Sequence, residues 1–156
     1  MKYELVAGEN WDFVDGEIGG RSQGGSVNHN KGEMIVWNIH FGATFRTISL
    51  AGYPKLVMGF TGPDDYGKEI IQGYAVCVLP IRPGKHDVSC HIFKPVKSKY
   101  LGLVYESQAS DNTKEVDFRA IASGKLREIS TVEHMGTLTV SVNISHKNVS
   151  RFGYQL

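Results

Sequence analysis

The sequence predicts an all-β protein, an antiparallel β-sandwich of about seven to eight strands with a short helical insertion. Apolar and polar residues alternate with a period of two in several segments, which is typical of strands with one buried face. Glycine is frequent, at 18 of 156 residues, which favours tight turns. No long helical pattern separates the candidate strands, so neighbouring strands are expected to pair antiparallel.

The strand pattern is clearest from residue 136 to 147, where Leu138, Val140, Val142 and Ile144 point one way and the polar residues between them point the other. Each candidate strand is bounded by Gly, Pro, Asn or Asp. The others are YELVA (3–7), EMIVWN (33–38), and the alternating sets Phe41/Ala43/Phe45, Leu56/Met58/Phe60, Tyr74/Val76/Val78 and Val88/Cys90/Ile92.

Three connections between these strands are informative. The glycine-rich stretch 8–33 is expected to be a long loop. Gly62 to Asp65 is expected to form a tight turn with Pro63 at its second position. The stretch from 97 to 127 breaks the strand pattern and is expected to be an insertion that covers one edge of the sheet. Its apolar residues fit one or two helical turns, and they are Tyr100, Leu101, Val104 and Tyr105.

Length and charge narrow the function classes. A chain of 156 residues is expected to be one domain, 1–156. Because 17 Lys and Arg balance 16 Asp and Glu, no broad basic field exists for nucleic acid, which is not expected as a partner. The N-terminus lacks the apolar stretch of a signal peptide or membrane span, so a cytosolic protein is expected.

The two cysteines, Cys77 and Cys90, each lie within a strand-like segment. In a cytosolic protein such residues are expected to be small buried hydrophobes rather than a disulfide.

No catalytic or metal site is predicted. A nucleophile needs a base within hydrogen-bond reach, and no Ser or Cys motif supplies one. The glycine-rich stretch lacks the Lys-Ser/Thr of a phosphate loop. The histidines show no metal-ligand spacing and are expected to be ordinary surface or loop residues. No enzyme activity, cofactor or metal is therefore expected. The histidines are His29, His40, His86, His91, His134 and His146.

Short motifs between Met34 and His86 together resemble the B9 domain family, and their combined spacing is specific although each is short. Residues 124–137 and 152–154 resemble the end of the family's members. The matching motifs are Val36-Trp37-Asn38, Thr44-Phe45-Arg46, Gly52-Tyr53-Pro54, Gly62-Pro63-Asp64, Tyr66-Gly67, Gly73-Tyr74, Leu79-Pro80 and Pro83-Gly84-Lys85-His86.

This resemblance implies a C2-like sandwich and a non-enzymatic structural role in a protein complex at the ciliary transition zone. There the protein would serve cilium assembly and the gating of membrane-protein entry. Other B9 domain proteins would be its partners. Trp37 is the expected core anchor because it lies in an apolar strand-like segment directly before Asn38.

The sequence departs from the family pattern in two ways. Members usually carry one more strand ahead of the part that matches residues 3–11, so this chain is expected to lack the family's first strand, or a neighbour to supply it. In calcium-binding C2 domains three aspartates hold the ion. When Gly73 is placed on the family's glycine, Gly62 and Ile70 occupy two of those positions and only Asp64 remains, so calcium-dependent membrane docking is not expected.

Two surfaces are candidate binding sites. The aromatic residues Trp11, Phe13 and Tyr53 are candidates for a protein interface, with packing at the end of the sandwich as the alternative. An independent peripheral lipid-binding module is the alternative function, in which lysines contact anionic lipid. A secreted glycan-binding sandwich is a weaker alternative. The candidate lipid-binding residues are Lys94, Lys97, Lys99, Arg82 and Lys85.

Overall fold

The computed structural model describes residues 1–25, 34–63, 65–95, 117–124 and 132–153. These residues form eight strands in two sheets, one α-helix and one 3₁₀ helix. The predicted all-β sandwich is therefore confirmed. The strands are β1 (Lys2–Val6), β2 (Trp11–Gly16), β3 (Gly19–Arg21), β4 (Ala43–Thr47), β5 (Lys55–Pro63), β6 (Glu69–Val78), β7 (Gly84–Pro95) and β8 (Val132–Ile144); the helices are α1 (Phe118–Ala122) and η1 (Val149–Phe152).

All strand pairs are antiparallel. The large sheet has the order β3-β1-β5-β6-β7-β8, and the small sheet consists of β2 and β4. Strand β1 is hydrogen-bonded on both sides, to β3 and to β5. A further strand therefore has no place beside β1, and within the described part of the chain the margins of the large sheet are β3 and β8.

Six of the predicted strands are confirmed, and one is wrong. Residues 34–42 alternate between exposed and half-buried positions but belong to no strand. The Ile39 N–H donates to the Trp37 carbonyl at 3.1 Å. This hydrogen bond lies within the segment and not between two strands. The strand partners instead come from the stretch predicted as a loop, where β2 pairs with β4 and β3 pairs with β1.

The large sheet is covered on both faces. Leu56 and Val57 are neighbours that point to opposite faces, and they are 1% and 0% exposed. The main cluster lies on the face towards the small sheet, and the second cluster lies on the face towards α1. The main cluster contains Tyr3, Leu5, Leu56, Met58, Phe60, Ala75, Cys77, Leu79, Cys90 and Val142. The second contains Val57, Tyr74, Phe93, Phe118, Ile121 and Ala122.

Helix α1 begins where the Asp117 side chain accepts a hydrogen bond from the Arg119 N–H at 2.9 Å, which satisfies a backbone donor at the helix start. Lys55 Nζ donates to the Ala122 carbonyl at 3.0 Å. The prediction of an edge insertion is wrong for this helix, because it covers a face of the sheet. The residues predicted to be helical, Tyr100, Leu101, Val104 and Tyr105, lie outside the described residues.

Cys77 and Cys90 form a disulfide, so the prediction of two unbonded cysteines is wrong. Strands β6 and β7 pair Tyr74 with Phe93 and Ala75 with Ile92. The same register, continued along both strands, places Cys77 opposite Cys90. Their Cα atoms are 5.5 Å apart, which suits a cross-strand disulfide. Both residues are also buried, at 0% and 8% exposure, as expected.

The predicted tight turn at Gly62 is displaced along the chain. Phe60 of β5 pairs with Gly73 and Thr61 pairs with Ile71, so Gln72 is an extra residue that forms a bulge in β6. Strand β5 then continues to Pro63, which lies opposite Glu69. Among the described residues β1 pairs with β5 only as far as Gly59, so Pro63 lies on a free edge of the sheet, where proline is tolerated. The described part of the turn is 65–67.

Strand β8 contains one extra residue. The register changes from Ile92 opposite Gly136 to Phe93 opposite His134, which leaves Met135 without a partner on β7. Gly136 has φ +150°. This β-bulge turns His134 to the face of His91, and their ring nitrogens are 3.1 Å apart.

Candidate protein interface

The small sheet brings together four aromatic side chains. Phe13 on β2 lies opposite Phe45 on β4, with ring centroids 6.0 Å apart. Trp11 lies 6.4 Å from Phe45 and 5.0 Å from Tyr53, both in edge-to-face geometry, which is favourable for aromatic pairs. Trp11, Phe13, Phe45 and Tyr53 are called the aromatic cluster below. All three predicted interface residues belong to it, and sequence reasoning missed Phe45, whose alternation indicated only a strand.

The loop before Tyr53 is fixed by backbone contacts. Trp11 Nε1 donates to the Ala51 carbonyl at 2.9 Å, and the Gly8 N–H donates to the Gly52 carbonyl at 2.8 Å. Gly52 has φ +72°, and a Cβ there would lie 2.9 Å from the Gly8 Cα. Only glycine allows both this conformation and this approach. The motif around Tyr53 therefore holds the aromatic cluster together.

Exposure distinguishes the members of the aromatic cluster. Trp11 and Tyr53 are half-buried, and burial raises the pKa of Tyr53 above 10.0. Phe13 is 42% exposed, and the nearby Val14 and Ile18 are 56% and 38% exposed. Trp11 and Tyr53 thus contribute to end packing, whereas Phe13 presents apolar surface to solvent.

A cleft of about 360 Å³ opens beside the aromatic cluster. One wall consists of Trp11, Phe45 and Tyr53, and the facing wall is the end of β8 and the residues after it, 141–146. Three members of the aromatic cluster, all but Phe13, therefore share one depression with the margin of the large sheet.

The other motif residues form the frame of the large sheet. Tyr74 is 4% exposed and its ring lies 6.4 Å from that of Phe93. Gly73 is buried, and a Cβ there would lie 3.1 Å from the Phe93 carbonyl. Pro54 is buried, and Pro83 is exposed. Trp37 is half-buried and packs on the main cluster. Gly62 pairs with Ile70, and Gly67 and Gly84 have positive φ.

The three described basic residues among those predicted to contact lipid, Arg82, Lys85 and Lys94, do not lie together in one patch. Arg82 lies just before β7 and Lys85 near its start, and the His86 ring donates to the Arg82 carbonyl at 2.9 Å. Lys94 lies near the other end, opposite Glu133. Nine residues of strand separate Lys85 from Lys94, roughly 30 Å. Lys97 and Lys99 lie outside the described residues.

The described residues contain no group of three His, Cys, Asp or Glu side chains placed to hold a metal ion. Asp65 is exposed, and Asp64 lies outside the described part. The contact between His91 and His134 was missed because it depends on the bulge at Met135. No described helix has the length and apolar character needed to span a membrane.

Comparison with known proteins shows which family this chain is related to. The model of the family described as "Ciliary basal body-associated, B9 protein" matches residues 1–145. B9 domain-containing protein 1 of Xenopus laevis is 31% identical over 98% of this chain and 77% of its own length. The Homo sapiens protein of that name is 28% identical over 98% of this chain and 75% of its length. B9 domain-containing protein 2 of Homo sapiens is 23% identical over 99% and 86%. No solved structure matches significantly.

Proposed function

Since this chain belongs to the ciliary basal body-associated B9 family, we propose that it is a non-enzymatic structural component of the ciliary transition zone complex. It acts there by binding other B9 domain proteins. Through this binding it serves cilium assembly and the gating of membrane-protein entry into the cilium.

The observation that supports a binding role is the aromatic cluster. Aromatic side chains are enriched at protein interfaces, where a partly exposed ring can fill a partner's pocket. Phe13 on β2 packs against Phe45 on the paired strand β4 and is 42% exposed. Ile18 is 38% exposed and lines the same surface depression as Phe13, so Phe13 is the proposed centre of the contact.

The test is affinity purification of the tagged chain from ciliated cells of the source organism. Other B9 domain proteins should be recovered together with the wild-type chain. Phe13→Asp should reduce their recovery about tenfold or more. Burying the Asp charge at the centre of an apolar contact would cost desolvation free energy.

Val78→Asp is the matched control. Val78 is 66% exposed and follows Tyr74 and Val76 on the face that carries α1, so this change should leave recovery unaltered. Recovery of no B9 domain protein above the level of an untagged control would contradict the proposed function.

A further inference from the structure

Strand β8 forms a long margin of the large sheet. It has 13 residues and pairs with β7 over residues 132–144. Within the described ranges, no strand pairs with its other side. On an edge strand the outward N–H and C=O groups are a template for the backbone of another strand.

The part of β8 beyond the bulge is regular and uncharged. From Gly136 opposite Ile92 to Ile144 opposite Gly84 the register is continuous. Residues 137–144 include no Pro and no Asp, Glu, Lys or Arg. Charged side chains, proline and bulges are the means by which exposed edges avoid pairing. The bulge of β8 lies before this segment, so Thr137–Ile144 carries none of these features.

The side chains of this segment also fit an added strand. Leu138, Val140 and Ile144 are half-buried and pack against the main cluster. This apolar row reaches the margin of the sheet, and the last four residues of β8 also line the cleft beside the aromatic cluster. A strand placed beside β8 would continue this row and lie next to the cleft.

We propose that Thr137–Ile144 is a strand-addition site that takes an extended segment of a second B9 domain. This inference rests on the proposed function and names its contact surface. An open strand margin accepts an extended backbone, and pairing with alternate apolar side chains would continue the half-buried row. B9 domain-containing proteins 1 and 2 resemble this chain over almost its whole length, so B9 partners are expected to have a comparable alternating strand to offer.

Proline substitutions at two neighbouring positions test the proposal. Along an antiparallel strand, adjacent residues direct their N–H groups to opposite sides. Thr139 and Val140 are adjacent, so one of Thr139→Pro and Val140→Pro removes an N–H that points to β7. The other removes an N–H that points outward, to the free side of β8. The variant that loses the outward donor should remain folded, as circular dichroism melting would show. It should bind a purified B9 domain-containing protein 2 homologue of the same organism at least tenfold more weakly than wild type.

Thr139→Val is the matched control, because it changes an exposed side chain and leaves the backbone donor in place. Its affinity should equal that of the wild-type chain. Hydrogen exchange of the wild-type complex provides a second measurement, which needs no variant. Binding should slow exchange of the outward amides within 137–144 about tenfold or more.

The outcomes separate the two proposals. If the wild-type chain binds its B9 partner while the folded proline variant binds equally well and exchange within 137–144 is unchanged, the strand-addition site is wrong and the proposed function stands. If the variants lose only self-association, the occupant is a second copy of this chain and the assignment to another B9 domain is wrong. If the wild-type chain binds no B9 protein, both proposals fail.

Discussion

Trp37 packs its ring against Phe60, with centroids 5.3 Å apart, from a segment that has no strand partner. A fully buried tryptophan costs about 3 to 5 kcal/mol when truncated to alanine. Because Trp37 is only half-buried, we expect Trp37→Ala to lower the free energy of unfolding by about 2 kcal/mol.

Leu56→Ala is the comparison for this prediction. Leu56 is 1% exposed, so its truncation should cost about 2 to 5 kcal/mol. Urea unfolding of both variants compares the contribution of the half-buried Trp37 side chain with that of the buried Leu56 side chain. A Trp37→Ala midpoint equal to that of the wild-type chain would show that the ring contributes no packing.

Tyr53 makes the stability of the folded protein depend on pH in the alkaline range. Burial raises its pKa above 10.0 in the folded protein, so the folded chain holds this proton more tightly than the unfolded chain does. Its contribution is therefore complete below about pH 10 and is lost as pH rises through the folded-state pKa. We expect the melting temperature to fall in this range and Tyr53→Phe to reduce the fall.

Tyr66→Phe is the control for alkaline unfolding, since Tyr66 is 95% exposed. Tyr3, whose pKa is raised by desolvation and by its hydrogen bond to Glu17, is present in both variants. Equal dependence of the melting temperature on pH in the Tyr53 and Tyr66 variants would contradict the role of Tyr53.

At the scale of elements, the sequence predicted strands whose alternation matches one buried face. Strand β8 was predicted from Gly136 onward because its apolar row and its polar row are regular there, whereas residues 132–135 were missed and residues 145–147 were overpredicted. Strands β2 and β3 were missed because glycine dominates their surroundings and their pairing is not local. The segment at 34–42 was overpredicted, because alternation reports which side chains face the core and not whether the backbone has a partner.

Three of the four members of the aromatic cluster were predicted from the sequence, but their arrangement was not. Trp11 and Tyr53 are far apart in sequence, and their contact depends on β2 pairing with β4. Phe45 was visible only as a strand residue. Likewise, the cysteine pair could not be derived from its spacing, because the strand register that sets Cys77 opposite Cys90 is a property of the folded sheet.

The disulfide between β6 and β7 closes a chain segment with a sequence separation of 13. A loop of this size is expected to contribute about 3 kcal/mol by restricting the unfolded chain. Addition of a reductant should therefore lower the denaturant midpoint. A Cys77→Ala/Cys90→Ala double variant should unfold at the reduced midpoint with and without reductant. Two reactive thiols in the purified, unreduced protein would contradict the bond.

For the whole molecule, we expect calcium to leave stability unchanged. A ligand that binds only the folded protein raises its stability in proportion to the logarithm of ligand concentration. The described residues offer no cluster of three acidic or histidine ligands, and calcium needs six to eight oxygens. Melting temperatures in about 1 mM calcium and in chelator should agree within about 1 °C. A larger calcium-dependent rise would reveal a site.

At Met135, strand β8 can lose a residue while its other side chains keep their faces of the sheet. Removal of Met135 would join His134 to Gly136 and keep every other partner of β7 and β8, whereas removal of Thr139 would turn part of the apolar row to the opposite face. We therefore expect the Met135 deletion to fold and the Thr139 deletion to unfold, as circular dichroism melting would show. One-residue insertions and deletions among natural B9 chains should accordingly concentrate at this point of the strand.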